Sequence, residues 1–150
     1  MNENKFVGTW KIVKYEGMKP DGNLVPYLAH PIGYLHYTAD GFMFATVTVT
    51  DRAKLGITLQ ELGSPKRPWW KGSYWRAIMN YLKAASQYFT YAGRYEIINN
   101  TVVHQVELDL IPDLMGKERV RTFEFPDEDT LILWAEDIPG QKQKLTWQRV

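Results

Sequence analysis

From residue 91 to the end of the chain, apolar and polar positions alternate with a period of two, interrupted by short clusters of turn-forming residues. Asn99-Asn100 separates 91–98 from 101–110, Pro126-Asp127-Glu128-Asp129 separates 117–125 from 130–137, and Pro139-Gly140 separates that run from 142–149. Asn is the best non-glycine residue for a positive φ, so Asn99-Asn100 suits a tight hairpin. Toward the amino terminus, residues 8–16 (GTWKIVKYE) precede the turn Lys19-Pro20-Asp21-Gly22. Residues 32–38 and 42–50 flank Ala39-Asp40-Gly41, which fits a type I turn with glycine in the left-handed bulge position.

The period changes once. Residues 51–72 carry Pro65, Pro68, Gly56, Gly63 and Gly72 and read as a long connection. Ser73 can then cap a helix over about 73–88, on which Trp75, Ile78, Met79, Leu82 and Phe89 recur at three-to-four spacing. Eight consecutive strands with one helix, and no βαβ alternation, predict an all-β, eight-stranded up-and-down antiparallel barrel in a single domain over 1–150. A two-sheet sandwich is the competing arrangement.

Hairpin arithmetic then assigns side chains to faces. A two-residue Asn99-Asn100 turn sets Tyr95 opposite His104 and Tyr91 opposite Leu108. Pairing Leu110 with Lys117 sets His104 opposite Phe123, Val106 opposite Arg121 and Leu108 opposite Arg119. The next two turns place Ile132 beside Phe123, Trp134 beside Arg121, Glu136 beside Arg119, Leu145 beside Trp134 and Trp147 beside Ile132. The resulting face is mostly apolar and points inward. The opposite face collects Arg94, Glu96, Gln105, Glu107, Asp109, Glu118, Glu124, Lys142, Lys144 and Gln148 and is solvent-facing. On the earlier strands, Leu35, Tyr37, Met43, Ala45 and Val47 form the more apolar face, and Tyr34, His36, Phe42, Phe44 and Thr46 the other.

An inward arginine requires a carboxylate, a wet cavity or an anionic ligand. Arg121 therefore reads either as a group that holds a substrate carboxylate or enolate oxygen, or as a structural partner stacked on Trp134. Arg119 with Glu136 reads as a structural pair. His104 is either a general acid–base or a core histidine satisfied by the Tyr95 hydroxyl or the backbone. The expected lining is Tyr91, Tyr95, His104, Arg119, Arg121, Phe123 and Trp134, with His104, Arg121 and Tyr95 as its reactive members.

Composition narrows the classes. The 6 Trp, 9 Tyr and 6 Phe exceed what a small core needs and suit an aromatic-rich barrel or a ligand cavity. With 18 basic and 17 acidic residues the net charge is +1, so no long-range attraction to nucleic acid or an anionic membrane is expected. The absence of Cys excludes disulfides, thiolate chemistry and cysteine-ligated zinc. His30, His36 and His104 have no metal-ligand spacing, so no metal is expected. His30 reads as a surface loop residue, and Tyr34 and His36 as exposed or mouth residues. Nucleophile elbows, phosphate loops, dinucleotide fingerprints and HExxH motifs are missing, and no cofactor is expected. MNENKFVGTW lacks a signal-peptide pattern, which gives an expectation of a cytoplasmic protein. The aromatic run WWKGSYW at 69–75 reads as a lid, a dimer contact or a packed connection.

Gly8-Thr9-Trp10 opening the first strand, with Arg149 near the end of the last, resembles the lipocalin pattern, in which a tryptophan packs on a late arginine at the closed barrel end. "GTWKIVKYE", "GYLHYTADGFM", "YAGRYEI", "VVHQVELDLIPDLMGKERVR" and "DTLILW" together resemble the microbial lipocalin-like domain family of small intracellular proteins. The resemblance covers nearly all of the chain except 51–72. It implies a barrel with a helix near one mouth and an interior able to hold a small hydrophobic molecule. It points to Tyr91, Gly93 and Tyr95 of Y-x-G-x-Y, to His104 of V-x-H-x-V and to Arg121. Related barrels include natural-product cyclases and other cofactor-free enzymes, so the resemblance speaks to architecture more than chemistry. The expected function is binding of a small, partly hydrophobic molecule with a polar or anionic group. The alternatives are a cofactor-free cyclase, isomerase or dehydratase using the same interior, and a partner-binding domain using the 69–75 aromatics.

Overall fold

Period-two alternation is realised as nine strands, eight of which close on themselves. The computed structural model describes residues 3–66 and 68–150, with the side chains of residues 3 and 4 excepted. The first two residues of MNENKFVGTW and Arg67 of the 51–72 connection lie outside the described residues. The strands are β1 (Gly8–Met18), β2 (Leu24–Pro26), β3 (Pro31–Tyr37), β4 (Phe42–Val49), β5 (Phe89–Ile98), β6 (Thr101–Asp109), β7 (Glu118–Glu124), β8 (Thr130–Ile138) and β9 (Gln141–Arg149). They pair antiparallel in the order β2-β1-β3-β4-β5-β6-β7-β8-β9, and β1 also pairs with β9, which closes the barrel. The sandwich alternative is thereby excluded. The short β2, which the pattern did not predict, lies along the end of β1.

Three helices accompany the sheet among the described residues: α1 (Glu3–Phe6), α2 (Leu59–Gly63) and α3 (Gly72–Ser86). α2 sits inside the expected connection and is opened by a capping box between Thr58 and Glu61. α3 begins without a side-chain cap, and Ser73 falls inside its first turn. Its buried face is made by Tyr74, Ala77 and Ala84, while Trp75, Met79 and Leu82 stand more than half exposed. The expected apolar face of this helix is therefore turned to solvent. The covered side turns toward the connection that precedes it: the Tyr74 hydroxyl donates to the Leu62 carbonyl, and Arg52 and Asn80 tie the helix to the 52–54 stretch.

One barrel end is plugged. Phe6 is fully buried and meets Tyr37, Phe123 and Phe125 edge-on at 4.8–5.1 Å between ring centroids. The Trp10 indole N–H donates to the Phe6 carbonyl at 2.8 Å, and the Arg149 guanidinium lies 4.1 Å over the Trp10 ring. Arg149 also donates to the carbonyls of Val7 and Lys5. The expected tryptophan–arginine pack thus ties the first strand to the last.

Leu35, Tyr37, Met43, Ala45 and Val47 are the buried face of β3 and β4, while Tyr34 and Phe44 are half-exposed on the outside. Both hairpin glycine and asparagine adopt positive φ as expected, Gly41 at +88° and Asn99 at +56°. Four register differences shape the interior, one of them between β8 and β9, where an irregularity between Ala135 and Ile138 sets Leu131 opposite Trp147 and Leu133 opposite Leu145. β6 pairs with β7 four residues away from the expected register, His104 lying opposite Arg119 and Val102 opposite Arg121. Four is an even number, so every side chain keeps its face. β7 and β8 slip by one: Glu124 faces Ile132 and Thr122 faces Trp134. The turn takes an extra residue because the Asp127 side chain gathers the Asp129 amide and the Thr130 hydroxyl. An odd slip reverses the face, so Leu131, Leu133 and Ala135 point inward and Ile132 and Trp134 outward.

The last difference is a bulge. Ala92 faces Leu108 but Gly93 faces Val106, leaving Glu107 as the extra residue on β6. Leu108 is consequently turned out, at 63% exposure, and Asp109 is turned in opposite Tyr91. Gly93 permits this approach: a Cβ there would stand 1.9 Å from the Gln105 carbonyl oxygen and 2.9 Å from the Glu107 nitrogen. Gly93→Ala is therefore expected to lower unfolding stability by about 1–3 kcal/mol in urea titration, the typical range for overpacking. Gly63→Ala, which meets nothing within 4 Å, serves as the control. Equal stability of the two variants would contradict the close approach.

Candidate functional site

Opposite the plugged end, where β5, β7 and β9 begin and β6 and β8 finish, the barrel encloses a cavity of about 440 Å³. Its walls are apolar and aromatic, among them Leu35, Ala45, Val47, Phe89, Leu133 and Trp147. Tyr27, Leu110, Ile111 and Ile138 form a half-exposed apolar rim. The volume and lining fall in the range of small-molecule sites.

The polar groups cluster on one wall. Arg121 donates in bidentate fashion to Asp137, both N–H···O distances being 2.7 Å, and to the Val120 carbonyl. Arg119 donates to Asp109 at 2.8 Å and stands 3.8 Å from Asp137. Its guanidinium also lies 4.4 Å over the Tyr91 ring. The Arg121 and Asp109 side chains are 6% and 4% exposed and Arg119 16%, while Asp137, at 40%, is open to solvent; the two cations and two anions form an internally neutral cluster. Burial opposes the charge on Arg121, but Tyr91 and Asp137 outweigh it and hold the guanidinium protonated.

Behind this wall His104 is fully buried. Its Nε2 pairs with the Tyr37 hydroxyl at 2.7 Å and its Nδ1 with the Tyr91 hydroxyl at 2.9 Å. Burial, reinforced by Arg121 and Arg119, pulls the His104 pKa from 6.5 down to about 3. The ring is therefore neutral near pH 7. One nitrogen then donates and the other accepts, so one tyrosine hydroxyl gives a proton to the ring bond and the other receives one. Burial raises the pKa of both Tyr37 and Tyr91, which keeps both phenols protonated.

The structure gathers Tyr91, Arg119 and Arg121 on the cavity wall, with His104 one bond behind them through Tyr91. Tyr95 lies across the hairpin from His104, but its hydroxyl donates to the Thr38 carbonyl and its ring packs on Tyr37. Phe123 belongs to the plug beneath, packed on Phe6. Trp134 is on the outer face, its indole N–H donating to Glu124 and its ring beneath Lys144, a correction that follows from the one-residue slip. Glu136 accepts from the Gly140 amide instead of Arg119. His36 bonds Thr9 on the barrel exterior, and His30 is in an exposed loop.

Four members of the site escaped the sequence reading: Tyr37, Asp109, Asp137 and Trp147. Tyr37 was on the more apolar face of its strand and was read as packing. Asp109 was assigned to solvent because the bulge was not foreseen, although a glycine within a strand is a bulge signal. Asp137 is one residue beyond the partner that an unslipped register supplies. Trp147 was placed inward but given no role; it lines the cavity, 2% exposed, and its indole N–H finds no acceptor among the described residues. No group of three His, Asp or Glu among the described residues is arranged to hold a metal ion.

A closed antiparallel barrel, plugged by a tryptophan–arginine pack and hollow at the other end, defines the class. The sequence matches the lipocalin-like domain family over residues 7–150, and the chain belongs to that family. None of the curated proteins matches it. Among solved structures it is similar to an uncharacterized protein from Bacteroides eggerthii, at 13% identity over 97% of this chain and 99% of that one, with a TM-score of 0.46. It is also similar to the redesigned β-barrel mFAP1 bound to DFHBI, at 14% identity over 98% and 97% of the two chains, TM-score 0.45. A mutant of the fluorescent protein UnaG gives 16% identity over 98% and 97%, TM-score 0.40. With TM-scores below 0.5, these likenesses add nothing to what the sheet register shows.

The lowered His104 pKa makes stability depend on pH. Below about 6.5 the unfolded chain binds a proton that the folded chain refuses until about pH 3, so stability is lost as pH falls through that window. The slope from this group is at most about 1.4 kcal/mol per pH unit. Urea unfolding at pH 7, 6 and 5 should show that slope in the native protein and its removal in His104→Gln, because the carboxylate contributions cancel in the difference. Parallel pH profiles would contradict a neutral buried imidazole.

Proposed function

We propose that this barrel binds a small, largely apolar molecule carrying an uncharged acceptor such as a carbonyl oxygen. The observation that carries the reading is the cavity of about 440 Å³ in which the two arginines are already neutralised by Asp109 and Asp137. An anionic ligand would have to compete with a bidentate internal carboxylate, and the cluster has no net charge with which to attract it. A guanidinium has five N–H donors, so Arg119 and Arg121 on the cavity wall keep donors for a neutral acceptor while paired with their carboxylates. Family membership supports the use of the interior for a small molecule without naming one.

A matched pair of aromatic probes tests the charge preference. Acetylnaphthalene should bind the native protein more tightly than naphthoate in fluorescence titration, and Asp137→Asn, which frees Arg121, should shift the preference toward naphthoate. Ala45→Phe, placing a ring into the cavity, should weaken both by about tenfold or more. Native-protein preference for naphthoate would overturn the uncharged reading, and unchanged binding in Ala45→Phe would overturn the site.

A cofactor-free isomerase or cyclase is the second reading, favoured by the Tyr91–His104–Tyr37 chain that runs from the cavity wall into the core. In that reading Tyr91 takes a proton from the bound molecule while passing its own to His104. A His104 pKa of about 3 makes the imidazole a weak acceptor, which ranks this second. Incubated in deuterium oxide with a molecule recovered from the protein, an enzyme of this kind incorporates deuterium and Tyr91→Phe does not. No incorporation by the native protein would exclude the shuttle.

A further inference from the structure

We propose that the segment 64–86 docks the cavity end of the barrel onto an anionic lipid surface. The overall net charge of +1 conceals a strong local asymmetry. Between Glu61 and Glu96 the sequence has no acidic residue, whereas 64–86 contains Lys66, Arg67, Lys71, Arg76 and Lys83. The remaining chain carries 13 basic against 17 acidic residues and is net negative. Among the described residues none of Lys66, Lys71, Arg76 and Lys83 is held in an ion pair.

The same segment exposes its large apolar side chains. Trp69, Trp70, Trp75, Met79 and Leu82 are 55–67% exposed. On α3, Trp75, Met79 and Leu82 follow i, i+4, i+7 spacing and form one stripe along the solvent side, with Arg76 and Lys83 on the adjoining strip. Trp75 is fixed to the preceding loop by its indole N–H, which donates to the Trp69 carbonyl at 2.8 Å, and Trp69 packs edge-on to Trp70. Indole rings beside unpaired cations are the composition of a helix that lies in a lipid headgroup layer. Among the described residues no helix is long and apolar enough to cross a membrane, so the contact is a surface one for this segment.

Position gives the contact a purpose. α3 runs directly into Tyr88 and Phe89, which line the cavity, and the cavity rim is itself apolar and half-exposed. An isologous contact between two copies would set one basic face against another, and like charges across an interface are repulsive. Aliphatic Met79 and Leu82 suit acyl chains, whereas a single-stranded nucleic acid is held by a basic groove and aromatic stacking platforms, neither of which calls for exposed aliphatic side chains.

The test is flotation of the intact protein with vesicles of phosphatidylcholine alone or mixed with phosphatidylserine. Binding is expected only to the mixed vesicles, with release at about 1 M salt, where the screening length falls to about 3 Å. Charge reversal at exposed positions, K71E with R76E and K83E, should reduce partition by about tenfold or more, with the melting temperature and acetylnaphthalene affinity unchanged. Trp70→Ala should weaken binding with the charges intact. The proposal is overturned by failure to bind mixed vesicles, by equal partition of the charge-reversed protein, by tighter binding to single-stranded polynucleotide than to vesicles, or by a stable dimer that buries Trp70. Vesicle binding and cavity binding are read separately, so either can fail alone.

Discussion

Two guanidinium groups on the inner wall of a β-barrel must be matched by carboxylates within reach, and that requirement organises this interior. Asp109 reaches Arg119 only because the Glu107 bulge turns it inward, and the bulge exists only because Gly93 leaves room for the opposing strand. Asp137 reaches Arg121 at the end of a strand whose register has slipped by one residue. The neutral cluster in turn decides the state of its neighbour. Fully buried and with two cations nearby, His104 stays neutral near pH 7, and as a neutral ring it bridges Tyr37 and Tyr91. On the proposed reading, such a wall selects a ligand by hydrogen-bonding shape instead of charge.

The two ends of the barrel solve different problems. At one, Phe6, Trp10 and Arg149 join the amino-terminal turn to the last strand and replace solvent with aromatic edges and a cation–π stack. At the other, Ala45, Ala135 and Val47 are too small to meet across the lumen, and space remains. Aromatic packing is thus concentrated beneath the cavity, while Tyr27, Leu110, Ile111 and Ile138 stand half-exposed around its mouth.

Much of this was legible in the residues. The eight barrel strands and the order of hairpins followed from alternation and turn chemistry, and the Trp10–Arg149 pack from the lipocalin resemblance. The inward placement of Arg119, Arg121 and His104 survived a four-residue error because side-chain direction depends only on parity. Parity also explains the failures: an extra residue held by Asp127 sent Trp134 outside, and an extra residue at Glu107 exchanged Leu108 for Asp109. Loop length at that resolution is set by side-chain hydrogen bonds within the turn, which hydrophobic patterning does not register. Which side of α3 is covered was not legible in the spacing of its apolar residues; it follows from the bonds that tie Tyr74, Asn80 and Ala84 to the preceding connection.

Nothing in the pattern of side chains distinguishes an arginine waiting for an anionic ligand from one already paired, so the decisive observable is the charge of what the cavity holds. Native mass spectrometry of freshly expressed protein, followed by identification of the retained molecule, reads it directly. The account predicts an uncharged, mainly apolar molecule bearing a carbonyl or similar acceptor, absent from the Ala45→Phe protein. A retained carboxylate, sulfate or phosphate would contradict it.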